Sequence, residues 1–113
     1  MAFFETATEA LVVPQLVVGE SAYLVGRIAG TAVEARLLRE LEASSLAFEP
    51  FEPADLGRIA ELVEIYADLR LGSVDAAVIA TAERLGATTI ATLDRRHFTV
   101  VRPRHIDAFQ LIP

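Results

Sequence analysis

Asp75, Asp94 and Glu20 are the residues whose type and spacing could do chemistry. Asp75 lies early in "LGSVDAAVIATAERLG", a run that reads as a helix from Ser73 to about Leu85. Asp94 closes the β-branched run "TTIATL" and is followed at once by Arg95, Arg96 and His97. Glu20 sits inside "PQLVVGESAYLVGR". Carboxylates brought together present hard oxygen donors, which suit Mg²⁺ or Mn²⁺. The question is whether the chain can bring them together.

For the two aspartates it can. A helix between two parallel strands starts at the carboxyl edge of the sheet, so Asp75, in the first turn, belongs at that edge. The chain then descends about 12 residues of helix, roughly 18 Å. It climbs back along about five residues of strand, roughly 17 Å. Asp94 therefore arrives at the same edge, where open α/β sheets bind ligands. Glu20 falls on a helical wheel between the Val17–Leu24–Ile28 stripe and the Leu16–Tyr23 pair, which turns it inward or nearly so. Each acid also has a plain structural reading. Asp75 would suit a helix N-terminus through the macrodipole, Asp94 would suit an Asx turn, and Glu20 could pair with Arg27.

The elements that must position these residues can be read along the chain. "FFETATEA" reads as the end of a helix and "LVV" at 11–13 as a short buried strand. Pro14 then suits the first position of a helix that stops at Gly30. Thr31 and Glu34 have capping-box spacing for a helix to about Glu42. "LAFEPF" is a second strand, and Pro53 opens a helix with Ile59, Leu62, Val63 and Tyr66 on one stripe. The helix capped by Ser73 is apolar nearly all round and should be the most buried. "TTIATL" and "FQLI" are the remaining strands. Strands alternating with helices imply a mainly parallel sheet with helices on its faces.

The bulk composition bounds the rest. The 113 residues make one domain, 1–113, with an aliphatic core and few aromatics. No cysteine is present, which excludes disulfides, thiolate metal sites and cysteine nucleophiles. All ten basic residues are arginine. The formal charge of −6 argues against general adhesion to nucleic acid. Residues 94–113, however, hold four arginines against two acids, so positive charge gathers just after Asp94. No apolar run reaches the 18 or more residues of a membrane span. "MAFFETATEA" carries no cation, so no secretory signal is read there. A soluble, cytoplasmic protein with no membrane partner is the expectation.

"VVPQLVVGESAYLVGR", "LGSVDAAVIATAERLG" and "TIATLDRRHF" resemble the motifs of PIN-domain ribonucleases, in particular the VapC-type toxins of bacterial toxin–antitoxin pairs. The resemblance runs from about Phe3 to Leu111. It implies a Rossmann-like α/β/α sandwich whose acids bind Mg²⁺ or Mn²⁺ and cut RNA, with a cognate VapB-type antitoxin as partner. On the matching positions Glu20 is the family's second acid, Asp75 the third and Asp94 the fourth. Arg95 and Arg96 would then face substrate phosphates, for which guanidinium geometry is suited. A solvated turn is the plain alternative for them. His97 reads as a satisfied structural side chain beside Phe98.

The family's opening strand, which is central in the sheet and ends in the first metal-ligating aspartate, has no counterpart here. The domain therefore reads as N-terminally truncated relative to the family. Loss of a central strand would leave sheet edges with unpaired backbone groups, from which a homo-oligomer is expected. The function that follows is a metal-dependent endoribonuclease toxin. The alternative is a catalytically inactive remnant that binds an antitoxin or dimerises. A phosphoacceptor receiver domain shares the acidic edge but needs a lysine, and the chain has none.

Overall fold

The computed structural model describes residues 2–5 (as backbone), 11–92 and 95–112. Strands β1 (Ala2–Glu5), β2 (Leu11–Pro14), β3 (Ala47–Glu49), β4 (Thr89–Thr92) and β5 (Gln110–Ile112) form one sheet in the order β3-β2-β1-β4-β5. Helices α1 (Gln15–Ala29), α2 (Thr31–Ala43), α3 (Pro53–Ile65), α4 (Ser73–Leu85) and α5 (Arg96–Val100) connect them. The α/β class was legible in the sequence, as were these elements other than β1 and α5.

The centre of the sheet departs from the expectation. Ala2–Glu5 is a strand, where the end of a helix was expected, and it occupies the middle of the sheet. It runs antiparallel to both neighbours, pairing Phe4 with Val12 on one side and Ala2 through Glu5 with Thr92 through Thr89 on the other. The outer pairs β2–β3 and β4–β5 are parallel, as expected. Two parallel pairs facing each other across a gap expose unpaired N–H and C=O groups. An adjacent segment with two phenylalanines has the β-propensity to fill that gap. The direction of β1 does not matter to the hydrogen bonding, because either polarity satisfies both edges. The open central edges from which a homo-oligomer was inferred are thus paired within the chain.

The core is aliphatic. Val13, Val17, Leu62, Val78, Ile79, Ile90, Phe98 and Val101 are its largest fully buried side chains. Every residue of α4 from Ala76 to Ala82 is buried, so the most apolar helix is also the innermost. Its alanines present little side-chain bulk, which lets it pack against α1, α3 and the two strands β1 and β2.

Three local expectations change, the first at α4, where Gly72 rather than Ser73 takes the N-cap position and Ser73 is the first helical residue. Thr31 does not cap α2: Gly30 takes the N-cap position at φ +94°, a conformation glycine adopts cheaply, and Thr31 becomes the first helical residue. The Glu34 side chain then lies over Gly26 of α1. Pro14 ends β2 and serves as N-cap of α1, one position earlier than expected.

Candidate active site

Asp75 is fixed by its neighbours. Fully buried Ala76 follows it, and the backbone N–H of Ala76 donates to the carbonyl of Gly72, the N-cap of α4. Leu71, 2% exposed, anchors the approach to that helix. The carboxylate of Asp75 is partly exposed and meets His97, with Nδ1 and Oδ2 separated by 2.6 Å. A carboxylate oxygen accepts, so Nδ1 carries the proton in this contact. His97 belongs to α5, which is pinned by buried Phe98 and followed by buried Val101.

This contact shows that the chain beyond β4 returns to the first turn of α4, as the helix-down, strand-up argument requires. Asp94 itself lies outside the described residues. His97 was read as a structural side chain, and it is indeed partnered, but its partner is a candidate site residue. The same return argument could have found it, since it lays residues 95–98 over residue 75.

Glu20 corrects one expectation. It is exposed, where the helical wheel turned it inward. Val17 and Ala22 take the buried positions of α1, and Glu20 stands on the flank. From there it nevertheless lines a cavity of about 360 Å³ together with Asp75, His97, Arg70 and the backbone turn Gly72–Val74. The plain alternative of a Glu20–Arg27 pair does not form among the described residues. Arg27 instead donates to the Tyr23 hydroxyl at 3.4 Å and lies 5.9 Å from the centre of its ring. Arg95 and Arg96 are both exposed, Arg95 as the N-cap of α5 and Arg96 as its first residue.

The cavity offers two carboxylates, whose oxygens are of the type a hard divalent cation takes. Among the described residues no group of three histidine, aspartate or glutamate side chains is close enough to hold a metal. Glu20 and Asp75 thus supply oxygen donors of the right type, and by themselves they fall short of a three-ligand metal group.

The other concentration of charge joins α3, α4, the end of β3 and the segment after α5. Arg84 reaches Asp55 at 3.0 Å and Glu49 at 2.7 Å. Arg58 binds both carboxylate oxygens of Glu83, at 2.8 and 2.9 Å, and the backbone N–H of Arg104 donates to Glu83 at 2.7 Å. Burial alone would push the Asp55 carboxyl up. The hydrogen bond from Arg84 and that from the Glu52 backbone N–H outweigh it and hold Asp55 below its usual range. Glu83 is likewise pushed up by burial and brought below its usual range by Arg58 and Arg104. Their partners Arg84 and Arg58 are held above the usual arginine value, first by these hydrogen bonds. This network was not singled out in the sequence, because its members are scattered from Glu49 to Arg104.

A central sheet with helices packed on it, and two carboxylates lining a cavity beside the first turn of the innermost helix, is a Rossmann-like α/β arrangement with an acidic site. The PIN domain family matches residues 1–102. The chain is also 38% identical over 109 residues to Ribonuclease VapC26 of Mycobacterium tuberculosis (strain ATCC 25618 / H37Rv), an alignment covering 96% of this chain and 81% of that protein. The chain belongs to the PIN-domain family, as a VapC-type ribonuclease. Ribonucleases of this type generally use divalent metal ions. Among the described residues no helix is long and apolar enough to cross a membrane.

Proposed function

We propose that this chain is the toxin of a toxin–antitoxin pair and cleaves RNA in the cytoplasm, with Glu20, Asp75 and Asp94 holding Mg²⁺ or Mn²⁺. The observation that carries the reading is the shared cavity of Glu20 and Asp75, beside the chain that leaves β4 towards Asp94. When bound, a divalent cation at such a site lowers the pKa of its water and offsets charge on the phosphoryl group. The protein's own part is positional. The buried neighbours of Asp75 and its bond to His97 hold one carboxylate in a fixed orientation. Arg95 and Arg96, exposed at the start of the helix that carries His97, are of a type suited to the phosphates of an approaching strand. The protein partner proposed is a VapB-type antitoxin.

The test is cleavage of a mixed single-stranded RNA by the purified chain in Mg²⁺ and in Mn²⁺, with chelator and Asp75→Asn controls. Metal-dependent cleavage abolished by the substitution is the expected result. A second reading, an inactive antitoxin-binding module, draws on the finding that only two described carboxylates line the cavity. Calorimetry with Mn²⁺ separates the two. A defined site lost in Asp75→Asn supports the enzyme, and no binding heat together with no cleavage supports the inactive module.

A further inference from the structure

Arg70 was not among the residues singled out by sequence pattern, and it is the one arginine among the described residues lining the acidic cavity. Its backbone is in the left-handed region, at φ 54° and ψ 43°, and it is the one non-glycine described with positive φ. The reason for that conformation is local. A 3₁₀ turn, Ala67–Leu69, ends at Arg70, whose N–H donates to the carbonyl of Ala67 at 3.0 Å. One residue on, Leu71 is buried in the core. The chain must reverse between these two points before α4 can begin, and a left-handed residue makes the reversal. Glycine or asparagine would do so at lower cost, because a Cβ is disfavoured there.

The backbone thus gives no reason for arginine at this position, and the fold gives none either. The side chain is exposed and has no hydrogen bond or ion pair with any described side chain, although Glu20 and Asp75 line the same cavity. Arg58, Arg84 and Arg104, by contrast, each meet a carboxylate within 3 Å. A strained residue whose side chain has no structural partner, placed in a cleft, points to a ligand.

We propose that Arg70 is a substrate-binding residue whose guanidinium contacts a phosphate of the RNA strand lying over the acidic cavity. The inference rests on the ribonuclease reading above and deepens it. The two described carboxylates already match the charge of one divalent cation, and any further acid of the proposed site exceeds it, so an incoming phosphodiester gains from a cation nearby. Arg70 is such a cation, always charged and shaped to bind two phosphate oxygens at once. Its mounting between a closed turn and a buried leucine holds the base of the side chain still, so that less freedom is lost when it binds.

Arg70→Gly separates this role from a structural one. Glycine relieves the backbone conformation, so the variant should melt at or above the temperature of the natural chain. Binding of a short labelled single-stranded RNA is measured by fluorescence anisotropy in Ca²⁺ across a salt series, alongside cleavage in Mg²⁺. The expected result for Arg70→Gly is affinity weakened by about tenfold, the scale of one charge-assisted hydrogen-bond pair. The slope of log affinity against log salt should shrink by about 0.7, the value for one phosphate contact on a single strand. Arg70→Lys should recover the slope and only part of the affinity. Unchanged affinity and slope in Arg70→Gly, with the natural chain binding and cleaving, would overturn the role of Arg70 alone. A natural chain that neither binds nor cleaves RNA would overturn the ribonuclease reading, and this proposal with it.

Discussion

Helix α4 carries one charged region at each end, and the two are built on opposite rules. At its C-terminal end Glu83 and Arg84 join Asp55, Arg58 and Glu49 in a network where carboxylates meet guanidiniums, and the Arg104 backbone N–H, at 2.7 to 3.0 Å. At its N-terminal end Asp75 and Glu20 share a cavity with an arginine that pairs with neither, and the described contact is that of Asp75 with His97. Closed pairing brings the Asp55 and Glu83 carboxyls below their usual range despite burial. An open arrangement leaves carboxylate and guanidinium available to something else. The same residue types therefore close on one another at one end and stay apart at the other, where the proposed ligand would bind.

The difference can be broken most sharply at Asp75. Asp75→Asn keeps the shape and a bond to His97 while removing the charge a cation needs. RNA cleavage should fall by about 10³-fold or more, on the scale of removing a group that acts on the transition state. The melting temperature should change little, because the side chain is one-third exposed. Cleavage that survives would remove Asp75 from the site.

Arg84→Met should do the reverse. It strips Asp55, 4% exposed, of its main partner. Breaking a buried pair costs about 3 to 5 kcal/mol, and partial exposure of Arg84 reduces that to about 2 to 3 kcal/mol. Urea unfolding measures the loss, while cleavage per folded molecule should hold. An unchanged midpoint would show that the network is solvated in solution.

Acid should separate the regions next. Asp55 and Glu83 have folded-state values below their unfolded ones of about 3.9 and 4.3. Their contribution is therefore fully present above the unfolded values and is lost as pH falls through the folded ones. Melting temperature should be flat near neutrality and decline below about pH 4. In Arg84→Met that decline should be shallower. An equally steep decline in the variant would place the acid sensitivity elsewhere.

Gly86→Ala tests the smallest difference. Gly86 ends α4 at φ +71°, just beyond Glu83 and Arg84. Alanine in this left-handed position should cost about 1 kcal/mol, seen as a lower melting temperature. Mn²⁺ binding at the Asp75 end should be unchanged, because the far end of the helix bears the disturbance.

The sequence determined the parts whose signals are local. The burial of α4 followed from its unbroken apolar and alanine pattern, its stop at Gly86 from a glycine after the last periodic residue, and α3's start from Pro53. The return of the chain after β4 to Asp75 followed from element lengths alone, since a helix and a strand of these lengths must cancel. Helical periodicity singled out Glu20 but assigned it to the wrong environment, and the family motifs matched it to an acid position.

Tertiary structure decided what depends on distant partners. Ala2–Glu5 reads as a helix end by itself and becomes the central strand because two sheet edges on either side need hydrogen bonds. Asp55, one acid among 16 in the sequence, is buried because Arg84 arrives from 29 residues away. Arg70 looks like any loop arginine until the closed turn before it and the buried leucine after it fix its backbone at the mouth of the acidic cavity. Spacing along the chain reports periodicity and length, whereas these contacts join residues whose separation follows no period.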